Sequence, residues 1–194
     1  MRGYIVNQMK VLLTTLVLFF SSNIFSKEFN LFDLTIGSKL TNYFSDSEIS
    51  LYYADNMEKT VNGETVFGKE FKYSAIEFYG NEKNDQHDFI QIYYENETYK
   101  IVGKSGLIIN LEFNECITLR DLNISKFDKK KLLNRSKVND FQSFPNGMED
   151  HFVVFYGDEF NIGFRCYAYE DGHVVYRYTS TDKIYNKWLN ETFK

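Results

Sequence analysis

Two regions of alternating apolar and polar residues, each broken by a turn signal, limit the folds open to this chain more than any other feature. In region 88–109 the dipeptide Asn-Glu at 96–97 separates two strand-like runs, and in region 160–179 the dipeptide Asp-Gly at 171–172 does the same. Alternation on both sides of a two-residue turn predicts a β-hairpin, and Asp-Gly is among the strongest hairpin signals. We therefore expect two antiparallel hairpins.

The second hairpin carries the sequence feature with the most functional content. With a two-residue turn Arg165 lies opposite Tyr178, whereas a three-residue loop would set it against Arg177 at a cost in charge repulsion. We therefore expect the two-residue turn, which creates an outward aromatic face made of Arg165, Tyr167, Tyr176 and Tyr178. Tyrosine and arginine are enriched where binding energy concentrates, so these four are the candidate binding residues. The alternative is that they pack beneath a helix or stabilise the sheet as cross-strand pairs.

The remaining patterns combine helices with further strands. Helical spacing of apolar residues predicts helices over 38–44, over 112–133 and in a last segment capped by Thr181, whose apolar face is Ile184, Tyr185, Trp188 and Leu189. Aromatic and β-branched runs predict strands over 66–79 and 150–156, with a brief strand at 49–53. Because hairpins replace long crossovers, the class is α+β, with an antiparallel sheet of about six strands and helices packed on it.

The first 26 residues have the layout of an export leader. Arg2 and Lys10 give a basic start, 11–25 is a largely apolar run, and Ser26 is a small residue suited to cleavage. A retained membrane span is the alternative, but a helix needs about 20 apolar residues to cross a bilayer. We expect cleavage after Ser26, which leaves 27–194 as one bacterial domain, without a membrane span, in the periplasm or outside the cell.

Composition excludes one class of partner. Without the leader the chain has 20 basic and 27 acidic side chains, a formal charge of −7. Nucleic-acid binding depends on basic surface that releases counterions, and the densest basic cluster here is only the lysine run 129–131. A nucleic-acid role is therefore not expected.

Cys116 and Cys166 are the two cysteines of the chain. Cys166 belongs to the apolar set of a predicted strand and Cys116 to the apolar stripe of a predicted helix. In an exported protein such a pair indicates a disulfide between helix and sheet, worth about 4 kcal/mol by the chain-entropy relation. The alternative is two buried free thiols.

No arrangement of catalytic or metal-binding residues stands out. The three histidines lack the spacing of a zinc site, and no serine lies in a G-x-S-x-G motif. The Gly-Lys-Ser triplet at 103–105 lacks the upstream glycine of a phosphate loop. Acidic pairs occur at 149–150, 158–159 and 170–171, where turns and strand ends commonly place them. The sequence therefore predicts no catalytic residue, no cofactor and no metal.

Short segments form a pattern spread over most of the predicted domain. They are Leu31-Phe32-x-Leu34-x-Ile36-Gly37, Tyr99-Lys100-Ile101 leading to Ser105-Gly106, Cys116 opening a helix, Phe164-x-Cys166 in a strand, and Trp188-Leu189. This pattern resembles small exported proteins of unknown function from AT-rich marine bacteria of alphaproteobacterial type. The resemblance implies no activity.

These observations favour a non-catalytic periplasmic binding or interaction module, whose partner is an envelope protein or a small molecule. A hydrolase that acts on envelope material through paired carboxylates is one alternative, and a carrier of a small apolar ligand is another. Converging carboxylates in a cleft would favour the hydrolase and an enclosed apolar pocket the carrier. A flat exposed patch of tyrosine and arginine would favour the interaction module.

Overall fold

The structure is a computed structural model that describes residues 29–54, 60–61, 64–65, 68, 71–128 and 136–192. The predicted leader and the lysine run at 129–131 lie outside these residues. The described α-helices are α1 Asp46–Leu51, α2 Phe113–Asp128 and α3 Lys183–Thr192. The described strands are β1 Thr60–Val61, β2 Glu64–Thr65, β3 Tyr73–Tyr79, β4 Phe89–Glu95, β5 Ile101–Leu111, β6 Ser136–Ser143, β7 Glu149–Tyr156, β8 Phe160–Ala168 and β9 Val174–Asp182. Within the described part of the chain, no helix is long and apolar enough to cross a membrane.

Seven of these strands form one sheet in the order β3-β4-β5-β9-β8-β7-β6, and every neighbouring pair is antiparallel. The first three strands make one meander and the last four make another. Helix α2 connects the two meanders, and β9 returns to pair with β5. The predicted α+β class with an antiparallel sheet is therefore confirmed, with seven strands in place of about six.

The additional strand is β6, which forms one edge of the sheet beside β7. Its sequence, Ser-Lys-Val-Asn-Asp-Phe-Gln-Ser, lacks an alternating apolar pattern because its described side chains, from Asn139 to Ser143, are solvent-exposed. Phe141, for instance, is 48% exposed. An edge strand of this kind is held by pairing with its neighbour rather than by burial, so hydrophobic periodicity does not reveal it.

The strand predicted at 49–53 is wrong, because this region belongs mainly to helix α1. Ser45 caps the helix by accepting from the Glu48 amide, and the Glu48 carboxylate in turn accepts from the Ser45 amide at 2.8 Å. This reciprocal capping box satisfies two amides that a helix start leaves unpaired. The helix predicted over 38–44 is reduced to a single 3-10 turn, Leu40–Asn42.

The first hairpin, β4 and β5, lies where the sequence predicted it, but its turn is longer than two residues. The Glu95 amide donates to the Lys100 carbonyl at 2.9 Å, which leaves four residues in the loop. Tyr99 closes this loop with a φ of +55°, in the left-handed region. The longer loop changes the residues that pair across the hairpin, and Tyr94 lies opposite Ile101.

The predicted register of the second hairpin is wrong. Arg165 lies opposite Arg177, and the Tyr169 amide donates to the His173 carbonyl at 3.0 Å to close a three-residue loop. Gly172 ends the loop with a φ of +90°, a conformation that glycine adopts without a steric penalty. This loop type, with glycine in the left-handed position, is the second most common hairpin connection.

The N-cap of helix α3 lies one residue later than predicted, at Asp182. The Asp182 carboxylate, rather than the Thr181 hydroxyl, accepts from the Tyr185 amide, at 2.6 Å. Tyr185 is buried against the sheet, with Trp188 and Leu189 packed beside it, as the sequence predicts. Ile184 was expected on this apolar face but is 66% exposed.

The predicted disulfide is confirmed between Cys116, in the first turn of α2, and Cys166, in β8. Their Cα atoms lie 6.0 Å apart, and both residues are fully buried in the main core. The bridge therefore fixes the start of α2 to the middle of the second meander.

Candidate functional site

The two faces of the sheet have different surroundings. Helices α1 and α2, together with the segment that precedes α1, pack on one face of the sheet and bury the main core there. We call this the helix-packed face. Neighbouring residues of a strand alternate between faces, so the other face carries the remaining side chains. We call it the open face; on β5, β8 and β9 its side chains include Ser105, Arg165, Tyr167, Arg177 and Thr179. Among the described helices, α3 packs on the open face, at the end where Tyr185 approaches Gly103.

The four predicted binding residues do not share one surface. Tyr176 and Tyr178 are 0% and 1% exposed in the core of the helix-packed face, whereas Arg165 and Tyr167 are half-buried on the open face. The predicted face depended on the two-residue turn, and the observed register moves Tyr176 and Tyr178 to the opposite side of the sheet. A binding role for Arg165 and Tyr167 stays a prediction.

Tyr176 and Tyr178 stabilise the core instead. The Tyr176 hydroxyl accepts a hydrogen bond from Asn123 of α2 at 2.9 Å, and burial raises the pKa of this tyrosine. The ring of Tyr178 lies 4.8 Å from the ring of Phe32 and 5.5 Å from that of Phe164. The alternative that these tyrosines pack beneath a helix is therefore the one that the geometry supports.

The open face brings two arginines together on adjacent strands. Arg165 forms an ion pair with Asp150 of β7, and its guanidinium lies 4.8 Å from the ring centre of Phe152. Asp150 is 1% exposed, and burial raises its pKa although Arg165 acts in the opposite direction. This buried carboxylate offsets part of the repulsion between the arginines, and the same register buries Tyr176 and Tyr178.

Arg177 has different partners. Its Nε donates to the Ser105 hydroxyl at 3.0 Å, and no carboxylate in the described part of the chain forms an ion pair with it. It also lies near the hydroxyl of Tyr93, whose pKa burial raises while the Arg177 charge lowers it. The cluster thus has two arginines and one paired carboxylate, Asp150, and the charge of Glu77 on β3 also acts on Tyr93 at this site.

Sequence reasoning missed Arg177 and Ser105 as parts of this surface. The signal for Arg177 was present, because the three-residue loop was the second of the two registers considered. What was lacking was Asp150, whose pairing with Arg165 depends on a neighbouring strand that the hairpin sequence does not contain.

A cleft of about 540 Å³ lies on the other side of the molecule, where segment 29–33, loop 84–86 and helix α2 meet. Among the described residues, its apolar lining consists of Phe29, Phe32 and Phe127, and the other lining residues are polar. They are Asn30, Asp33, Asn84, Asp85, Gln86, Asn123 and Lys126. The cleft joins parts of the chain that are far apart in sequence, so no local pattern indicates it.

Two buried polar groups hold the wall of this cleft in place. Lys104 is 4% exposed, and its ammonium donates to the carbonyl oxygens of Leu31 and Leu34, each at 2.7 Å. Burial lowers the pKa of Lys104 to about 7, while the charge of Asp33 acts in the opposite direction. Lys104 thus fixes the segment after the predicted leader to strand β5.

The second group is the pair formed by Asp85 and His87. The Asp85 carboxylate lies 2.5 Å from His87 Nδ1 and accepts from the Leu31 amide at 2.8 Å. Burial raises the pKa of Asp85, but these hydrogen bonds outweigh it and the pKa is lowered. Both oxygens of Asp85 are thereby occupied by the protein itself.

Three carboxylates of the acidic pairs, those of Glu149, Asp150 and Asp171, have partners of their own. Asp150 and Glu149 point to opposite faces of β7, where Asp150 pairs with Arg165 and Glu149 lies 3.2 Å from His151. In the hairpin loop, Asp171 lies 2.5 Å from His173. In the part of the chain that the structure describes, no group of three or more histidine, cysteine or acidic side chains is arranged to hold a metal ion.

Comparisons of the chain with protein-family models, with curated proteins and with solved structures find no match.

Proposed function

We propose that the protein is an exported, non-catalytic binding module whose open face recognises a carboxylate-bearing segment of a partner protein. The observation that carries the proposal is Arg177, a half-buried guanidinium that is bonded to a neutral hydroxyl and lies opposite a second arginine. A planar guanidinium forms paired hydrogen bonds with a carboxylate, and these are among the strongest polar contacts that proteins make.

Charge supports an anionic partner over a neutral one. The chain as a whole is acidic, yet Arg165 and Arg177 share one paired carboxylate, Asp150, while Glu77, which also acts on Tyr93, accepts a hydrogen bond from Gln91 at 2.6 Å. Tyr167 and Phe152 lie on the same face beside Arg165 and supply aromatic contact area. Aromatic and arginine side chains together are typical of the residues that dominate binding energy.

Export is supported by the disulfide, because a bridge between two buried cysteines persists in oxidising compartments. The test is to express the full chain, separate periplasm from cytosol, and titrate thiols in the natively purified protein. We expect a periplasmic protein without titratable thiols and with an N-terminus at Lys27. Two reactive thiols, or a retained leader embedded in lipid, would contradict export.

The two alternatives have less support. A hydrolase needs two carboxylates that face a common substrate, whereas the carboxylates of Glu149, Asp150 and Asp171 are each paired with a neighbouring histidine or arginine. A carrier of an apolar ligand needs a predominantly apolar enclosure, whereas most residues around the cleft are polar.

Binding is tested with a hexaglutamate peptide and a hexaglutamine peptide, titrated calorimetrically into the mature chain. We expect saturable binding of hexaglutamate, at least tenfold weaker binding of hexaglutamine, and a loss of affinity at high salt because exposed charges are screened. Arg177→Gln should weaken hexaglutamate binding about tenfold, the equivalent of about 1.4 kcal/mol.

Lys187→Gln is the matched control, because it removes the same charge from a side chain that is 76% exposed on α3. If Arg177→Gln and Lys187→Gln weaken binding equally, the peptide responds to net charge and the assignment to the open face is wrong. Equal affinity for the two peptides would reject carboxylate recognition altogether.

A further inference from the structure

The cleft on the helix-packed side has the composition of a site for a small, uncharged polar ligand. Its volume of about 540 Å³ falls within the range of small-molecule sites. Three phenylalanine rings contribute apolar surface, and four side-chain amides contribute both donors and acceptors. A ligand that matches this lining has an apolar face and many hydroxyl groups.

Charges at the cleft do not favour an ion. Lys126 and Asp33 are exposed and of opposite sign. Asp85 is the third charged residue of the lining, and its oxygens already accept from His87 and from the Leu31 amide. Among the described lining residues, therefore, neither an anion nor a cation finds an excess of opposite charge.

A buried amide marks the floor of the cleft. Asn123 is 1% exposed, and its Nδ2 donates to the Tyr176 hydroxyl at 2.9 Å. The same side chain lines the cleft. The carbonyl oxygen of this amide is an acceptor, so a hydroxyl group of a ligand on the floor of the cleft would donate to it.

The wall around this acceptor is held before any ligand arrives. Lys104 donates to three carbonyls of the segment 31–34, and Asp85 fixes the Leu31 amide. On the helix side, the rings of Phe127 and Phe32 lie 5.6 Å apart in an edge-to-face contact. A wall that is already ordered loses little conformational freedom on binding.

We propose that this cleft binds a neutral sugar, as a single ring or a short oligosaccharide, with Asn123 and Gln86 as polar contacts and the phenylalanine rings against its apolar face. Hydroxyl groups of a sugar both donate and accept, as the amides require, and the C–H face of a pyranose ring is apolar. The site is separate from the open face, and binding at one does not depend on binding at the other.

The test is a nuclear magnetic resonance titration of the mature chain with maltotriose and, separately, with triacetylchitotriose. We expect at least one of them to cause saturable shifts in the amides of 29–33, 84–86 and 123–127. Gln86→Ala should weaken that binding at least fivefold, because Gln86 is an exposed lining residue whose loss leaves the fold intact.

Gln142→Ala is the matched control, since Gln142 is an exposed glutamine on edge strand β6, away from the cleft. We expect it to leave the sugar affinity within twofold of the unmodified chain. The proposal is overturned if neither sugar saturates the cleft signals, or if Gln86→Ala and Gln142→Ala have equal effects. Saturation of the same signals by decanoate in place of the sugars would also overturn it, in favour of an apolar ligand.

Discussion

Breaking the bridge between Cys116 and Cys166 should lower the free energy of unfolding by about 4 kcal/mol. The two cysteines are separated by 50 positions, and the chain-entropy relation gives about 4 kcal/mol for a loop of that length. Both residues are fully buried, so chemical reduction leaves the sulfur atoms in the core. The main effect of reduction is then a gain in the conformational entropy of the unfolded chain, which lowers the free energy of unfolding.

The assay is urea unfolding followed by circular dichroism, with and without a phosphine reductant. In thermal unfolding of a domain of this size, the same loss of 4 kcal/mol in stability corresponds to a fall in melting temperature of about 8–16 °C. The control is the double variant Cys116→Ala with Cys166→Ala, whose stability the reductant should not change. A loss below about 1 kcal/mol on reduction, or an equal response of the double variant, would refute the reasoning.

Three further predictions concern single side chains. The pKa of Glu48 is lowered from 4.5 to about 2, mainly because its carboxylate accepts a hydrogen bond from Lys83. The contribution of the Glu48 carboxylate to stability is therefore complete above about pH 4.5 and is lost as the pH falls toward 2. Glu48→Gln should therefore flatten the fall in melting temperature over that range, and an unchanged acid profile would contradict this. A Cβ at Gly106 would lie 2.4 Å from a ring carbon of the buried His87, so Gly106→Ala should lower the free energy of unfolding in urea by about 1–3 kcal/mol. An unchanged free energy of unfolding would mean that the His87 ring moves freely. Asp182→Ala should cost about 1 kcal/mol through the lost cap of α3, and in the same assay Thr181→Ala should cost less.

The fold class, both hairpins and the disulfide could be predicted from the sequence because each has a local signal. Alternation identifies the strands, a turn dipeptide locates each hairpin, and the two cysteines lie in apolar positions of a helix and a strand. Helix α1 also has such a signal in Ser45 and Glu48, which form a capping box, although the apolar residues from Ile49 onward suggested a strand.

The candidate site could not be predicted to the same depth, because its geometry depends on contacts between distant segments. The register that faces Arg165 with Arg177 places Asp150 of β7 beside Arg165 and buries Tyr176 and Tyr178 in the core. Lys104 is a further example, since a lysine within a strand pattern suggests exposure. Its burial follows from three carbonyl oxygens contributed by a segment some 70 positions away in sequence.

The pairing of β5 with β9 has a consequence for how the chain assembles. Each meander is built from neighbours in sequence, whereas this central contact joins strands separated by α2 and the other three strands of the second meander. Closing so long a loop is slow compared with forming hairpins. Until it closes, two strands destined for the interior present bare backbone along their full length, ready to pair with another molecule. In a chain that is still folding, the strand edges most exposed to pairing with another molecule are therefore those of β5 and β9, which lie in the middle of the finished sheet. The edge strands of the finished sheet are less at risk.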